Sequence, residues 1–150
     1  MRHDTPLSRF GFVFSRTARR WRRELDLRLA GIGMADATWP PLVHLSLSGG
    51  GISQKELAER VGIDGSSLVR LIDILSERGL LERRPDPADR RSRRLYLTPA
   101  GETAVQRIEA VLERTEREML EDLGPDDLMR LLEAMDHIDR RIARMQQEER

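Results

Sequence analysis

Between residues 53 and 98 the chain carries two short, capped helical segments joined at a glycine and followed by an arginine-rich hairpin pattern, and that order restricts the fold more than any other feature. Ser53 followed three residues later by Glu56 is a capping box, in which each side chain accepts the other residue's backbone N–H, so a helix starts at residue 54 and carries Leu57, Ala58 and Val61 inward. It ends near Gly62. Asp64 offers a second N-cap, and Leu68, Leu71, Ile72 and Leu75 form the buried stripe of a helix that runs to Arg78 and leaves Ser66, Ser67, Arg70 and Asp73 outside. The small Ala58 lets the two helices cross closely, and Gly62 takes the turn between them. Gly79 closes the second helix, Leu80 to Arg84 reads as a short strand, and Arg93 to Leu97 reads as its antiparallel partner. The intervening stretch, Pro85 to Ser92, is expected to project as a loop without regular structure.

Helices flank this unit on both sides. Residues 9–30 form a first helix with Phe10, Phe14, Trp21, Leu25 and Leu29 near one face, ended by Gly31-Ile32-Gly33. Trp39 to Leu47 is shorter and tolerates Pro40 and Pro41 because first-turn amides have no intrahelical partner; Ser48-Gly49-Gly50-Gly51 stops it. Thr98-Pro99 opens a long helix through Ala104, Ile108, Val111 or Leu112, Thr115 and Met119, and Gly124-Pro125-Asp126-Asp127 breaks it. The last helix repeats Leu128, Leu131, Leu132, Met135, Ile138, Ile142 and Met145, a stripe longer than one small core needs, which calls for a partner helix. The expected fold is therefore mostly α with a small β-hairpin wing. One domain spans residues 1–150, with a winged helix-turn-helix lobe at 39–98 and helices 9–30 and 99–149 as a dimerisation base.

Composition removes whole classes of function. Cysteine is absent, which excludes disulfides, thiolate metal sites and thiol redox sensing. His3, His44 and His137 have no neighbours at metal-ligand spacing, no glycine-rich phosphate loop follows a strand, and no nucleophile sits beside a base. The expectation is a protein that is not an enzyme and holds no cofactor or metal. No apolar run is long enough to span a membrane, and the first residues lack the apolar core of a secretory signal, so a cytoplasmic location is expected. Formal net charge is zero, but charge is unevenly placed: residues 83–94 hold six arginines against Asp86 and Asp89, while acids gather after residue 101. Local potential, not the sum, is what attracts phosphate.

A helix held out by a glycine turn fits the DNA major groove, and arginines on an adjacent wing reach phosphates or a narrow minor groove. The motifs around it, Val61 to Arg70, Leu75 to Arg83, and Asp86-Pro87-Ala88-Asp89-Arg90-Arg91 leading to Leu95-Tyr96-Leu97-Thr98-Pro99-Ala100-Gly101, resemble the MarR family of regulators, with the SlyA branch the closest likeness. The resemblance runs from about residue 10 to 147. It implies a homodimer that binds a palindromic operator in double-stranded DNA. It also implies recognition-helix contacts by Ser66, Ser67 and Arg70, and a wing contact by Arg91 oriented by a salt bridge to Asp89. Arg84, Arg90, Arg93 and Lys55 are further phosphate candidates. Similar proteins often take small aromatic or phenolic anions between dimer base and DNA lobe, where Trp21, Met34, Trp39 and His44 are the candidate lining here. Two departures stand out: Pro40-Pro41 replaces ordinary helix formers, and Gly65 lowers helix propensity at the reading end. The competing reading is a winged-helix module for protein contact without specific DNA binding, which would need neither an exposed Arg70 nor the Asp89-Arg90-Arg91 tip.

Overall fold

A computed structural model describes residues 5–34 and 36–148. Its elements are α1 (Pro6–Ala30), a single 3-10 turn at Asp36–Thr38, α2 (Trp39–Leu47), α3 (Gln54–Val61), α4 (Gly65–Glu77), β1 (Leu81–Pro85), β2 (Arg93–Leu97), α5 (Pro99–Met119) and α6 (Pro125–Glu148). The chain divides into two compact units, Met1–Thr115 and Glu116–Arg150. None of the described helices is long and apolar enough to cross a membrane.

In the first unit the core forms where the expected stripes meet. Leu42 and Leu45 of α2, Leu57 of α3, Leu68, Ile72 and Leu75 of α4, Leu81 of β1, Leu95 of β2 and Ile108 of α5 are all essentially inaccessible to solvent. Each such side chain stabilises the fold by roughly 1.5–3 kcal/mol relative to exposure. The two strands pair antiparallel in the register Leu81↔Leu97, Arg83↔Leu95 and Pro85↔Arg93. A further bridge, absent from the sequence expectation, joins Ile52 to Leu95, with the Leu95 amide donating to the Ile52 carbonyl at 2.9 Å and the Gly51 amide donating to the Leu95 carbonyl at 2.8 Å. The hairpin is thus sewn to the segment just before α3.

Several boundaries differ from expectation for identifiable reasons. Helix α1 begins at Pro6 and not at residue 9, because Thr5 and Ser8 form a reciprocal capping box ahead of the apolar pattern. Of its expected face only Leu25 and Leu29 are buried; Phe10 and Phe14 are exposed and stack on each other with ring centroids 5.7 Å apart. The first strand is Leu81–Pro85, one residue later than Leu80–Arg84: the Leu80 amide still caps α4 by donating to the Leu75 carbonyl, and its own carbonyl accepts the Thr98 amide. Pro85 therefore belongs to the ladder and not to the loop, as a proline can at the end of an edge strand. In α5 the buried line is Gly101, Val105, Ile108, Val111 and Thr115, so Val105 holds the place assigned to Ala104. The prolines do no damage to α2, which runs unbroken from Trp39 with both of them buried.

In the second unit, α6 covers the expected last helix as far as Glu148; residue 149 lies outside the described residues. No residue of α6 is buried, and Met129, Leu132, Ile138, Ile142 and Met145 remain exposed.

Candidate nucleic-acid interface

The helix pair is set by its caps. The Glu56 amide donates to Ser53 Oγ at 3.1 Å and the Ser53 amide donates to Glu56 Oε2 at 2.7 Å. The Ser53 amide first, and then the Ser53 hydroxyl, hold the Glu56 carboxyl below its ordinary range. Gly62 ends α3 in the left-handed conformation, at φ 77°, with its amide on the Ala58 carbonyl at 2.9 Å. A β-carbon there would meet nothing within 4 Å, so the backbone angle and not space selects glycine.

Asp64 then organises the start of α4. Its Oδ1 accepts the Ser66 hydroxyl at 2.5 Å and the Ser67 amide at 2.8 Å, while Oδ2 accepts the Ser67 hydroxyl at 2.7 Å. The Ser66 hydroxyl, then the Ser67 amide and hydroxyl, push the Asp64 carboxyl far below the usual carboxylate range. Both serine protons are thereby committed, and Ser66 and Ser67 present lone pairs outward. Arg70, one turn further along, is exposed, and the described residues give its guanidinium no ion-pair partner. Asp73, on the same face, pairs with Arg83 of β1, which fixes α4 against the hairpin.

The wing is held by an ion pair that treating its arginines as one run had hidden. In Arg93-Arg94-Leu95-Tyr96-Leu97 the two-residue alternation places Arg94 and Tyr96 on the side away from buried Leu95. Arg94 Nε donates to Asp86 Oδ2 at 2.8 Å and Nη1 donates to the Gly51 carbonyl at 2.6 Å. Asp86 is buried, and the Ala88 amide on its Oδ1, ahead of Arg94, holds its carboxyl low. The Asp86 amide closes the tip by donating to the Ser92 carbonyl at 3.0 Å. Asp89 does not pair with the Arg91 guanidinium among the described residues; its Oδ1 accepts the Arg91 backbone amide at 3.0 Å, so it shapes the tip turn. That corrects the expected Asp89–Arg91 salt bridge.

Arg90, Arg91 and Arg93 are exposed at this tip with no ion-pair partner among the described residues, and Lys55 is exposed in the first turn of α3. Arg84 is different: it pairs with Glu82 and its guanidinium lies 4.4 Å from the Tyr96 ring centroid. The four residues expected to line an effector cleft are dispersed in role. Met34 and Trp39 are buried, and Trp39 Nε1 donates to Asp26 Oδ1 at 2.9 Å beneath the Arg22 guanidinium, 4.7 Å from the ring. Trp21 and His44 are half-buried, and burial, aided by Arg60, lowers the His44 pKa. None of the four lines the groove that the structure forms between α2, β2 and α5.

A helix-turn-helix whose second helix is capped, braced and left open on one face, beside a two-stranded wing, defines a winged-helix regulator. A family model described as the MarR family matches residues 32–92. The transcriptional regulator PA3341 is 32% identical, with 90% of this chain and 98% of that one covered and a TM-score of 0.84. The chain belongs to the MarR family, whose members regulate transcription and are not enzymes. The fold is shared with a MarR-family regulator from Rhodococcus sp. RHA1 (23% identity, 91% and 97% covered, TM-score 0.80). It is also shared with a mutant MarR from E. coli complexed with operator DNA (22% identity, 85% and 91% covered, TM-score 0.77).

Proposed function

We propose that this protein is a homodimeric, sequence-specific regulator that reads an inverted-repeat operator in double-stranded DNA. The observation that carries the reading is the set of exposed guanidinium groups at Arg70, Arg90, Arg91 and Arg93, free of ion pairs among the described residues, next to arginines that are bound inside the protein. A guanidinium left free beside Asp73 and Glu82, which have taken other arginines, is available for an external anion. In this reading α4 enters the major groove, Arg70 meets base edges, Ser66 and Ser67 accept from base amino groups, and Arg91 contacts the backbone or minor groove from the wing. Arg90, Arg93, Arg84 and Lys55 add phosphate contacts, with Arg84 the weakest because Glu82 and Tyr96 engage it. The exposed apolar line on α6 supports the dimer, with residues 39–98 as the DNA lobe and helices 9–30 and 99–149 as its base. Two-fold symmetry then requires half-sites about one helical turn, roughly 34 Å, apart. The wing sequence and the Leu97-Thr98-Pro99-Ala100-Gly101 helix start support a SlyA-like branch, acting in the cytoplasm where its DNA lies. A small aromatic or phenolic effector beside Trp21, Met34, Trp39 and His44 would have to open room next to two buried side chains; release of bound duplex by a simple phenolic acid tests it.

The deciding experiment is fluorescence anisotropy against duplexes from the gene's own upstream region, with shuffled duplexes alongside, at near-physiological salt. Nanomolar binding to one inverted repeat at two chains per site supports the proposal. Equal, weak binding to every duplex overturns it in favour of a protein-contact module.

A further inference from the structure

Helix α4 carries an apolar side chain on its open face. Val69 is 42% exposed, whereas Leu68, Ile72 and Leu75 of the same helix are buried. Ser66 neighbours Val69 at three residues' spacing and Arg70 at four, with β-carbons about 5–6 Å apart, so the three share one patch. Asp73, one turn past Val69, is taken by Arg83 and bounds the patch. A serine hydroxyl ordinarily donates or accepts and so reads bases without preference. Ser66 and Ser67 have lost that freedom: Asp64 Oδ1 accepts the Ser66 proton at 2.5 Å and Oδ2 accepts the Ser67 proton at 2.7 Å. Those hydroxyls and the Ser67 amide hold the Asp64 carboxyl far below the usual range, so it stays ionised and keeps both protons engaged at neutral pH. The patch therefore offers an apolar group at Val69, an acceptor at Ser66 and a cationic donor at Arg70.

Base pairs differ in what they return to such a patch. In the major groove an A·T pair presents the adenine N6 amino donor and the thymine 5-methyl group, while a G·C pair presents the guanine N7 and O6 acceptors, the cytosine amino group and no methyl. Against guanine an acceptor-only hydroxyl meets further lone pairs, and the Val69 side chain finds no apolar partner. Against A·T both are matched. We infer that Val69 is a specificity-determining residue that covers the 5-methyl group of a thymine while Ser66 accepts from the adenine amino group, so that this part of each half-site is A·T. The inference rests on the operator reading above and names the base pair that the reading leaves open.

Anisotropy with the full chain and its inverted repeat tests this, each thymine of the repeat being replaced in turn by deoxyuridine, which lacks only the 5-methyl group. At one thymine of each half-site the replacement should weaken binding about fourfold, and about fifteenfold when made in both half-sites, the worth of one buried carbon group in each. Val69→Ala, a change at an exposed position, should melt like the parent, bind the intact repeat more weakly, and be indifferent to uracil at that thymine. A guanine·5-methylcytosine pair there keeps the methyl but sets guanine O6 opposite Ser66, and should also bind more weakly than the intact repeat. Tight binding of the intact repeat with no loss for uracil at any thymine overturns the inference and leaves the regulator reading standing. A uracil penalty that persists in Val69→Ala, or full affinity for the guanine·5-methylcytosine repeat, overturns it in the same way. A parent chain that selects no repeat over shuffled DNA overturns both.

Discussion

At Gly101 an added β-carbon would fall 1.8 Å from the Leu80 carbonyl oxygen, whereas at Gly62 it would meet nothing and only the positive φ of 77° stands against a side chain. The two glycines therefore predict different losses. Gly62→Ala should cost about 1–2 kcal/mol, the left-handed penalty for an L-residue. Gly101→Ala should cost about 3 kcal/mol or more, because the clash is with backbone and α5 must move off the Leu80 peptide that precedes β1. Urea denaturation of the pair checks the order, and a larger loss at Gly62 would contradict the contact. Charge makes its own prediction at this scale. Asp64, Asp86 and Glu56 all have carboxyls held below their ordinary values of 3.8, 3.8 and 4.5. Their stabilisation is complete above those ordinary values and is lost as pH falls through the lower folded ones. The lowered His44 pKa adds an earlier, separate loss below its ordinary 6.5, so the melting temperature should begin to fall below about pH 6.5 and drop more steeply below about 5. Thermal melts of the parent and Asp64→Asn should show a shallower acid drop in the variant. For binding, Arg70→Ala in the proposed complex should cost roughly 1–3 kcal/mol and flatten discrimination between operator and shuffled DNA. Unchanged discrimination would remove Arg70 from base reading.

Elements were legible in proportion to how local their signals are. The capping box at Ser53 and Glu56, the cap at Asp64 and the prolines opening α2 each act within four residues, and those helices begin where the sequence says. Strand β1 starts one residue later than its pattern says because the Leu80 amide stays on the α4 cap at Leu75 while its carbonyl accepts from Thr98, eighteen residues away, a contact that no propensity reveals. The link from Arg94 to Gly51 spans 43 residues and is equally invisible to pattern reading, as is the Ile52 bridge. The site was readable as a set of exposed residues, but the division between free and bound arginines needed coordinates. That division yields a prediction for the wing as an element. Arg94→Ala removes both the Gly51 and Asp86 bonds and leaves a buried carboxylate without its cation. Amide hydrogen exchange at residues 86–92 should accelerate in this variant while α4 stays protected. Uniform acceleration across the first unit would mean that the link supports the whole fold and not the wing.

At the scale of the molecule, α6 exposes its apolar stripe: Leu132 is 56% and Ile142 48% accessible, in a helix with no buried position. Exposed leucine, isoleucine and methionine in one line are expected to find a partner surface. Leu132→Asp together with Ile142→Asp should therefore shift the sedimentation coefficient from dimer to monomer and abolish tight operator binding. A parent chain that already sediments as a monomer would remove two-fold operator reading from the proposal.

The tip of the hairpin is secured from its two feet, where Asp86 meets Ser92 and Arg94 reaches both Asp86 and Gly51, and by the turn that Ala88 and Asp89 make between them, while the side chains of Arg90 and Arg91 form no ion pair among the described residues. Such side chains are interchangeable parts. Descendants of this chain can exchange the side chains at Arg90 and Arg91 without refolding the protein and, in the proposed complex, acquire a new flanking preference on DNA, and a designer can graft other side chains onto the same turn.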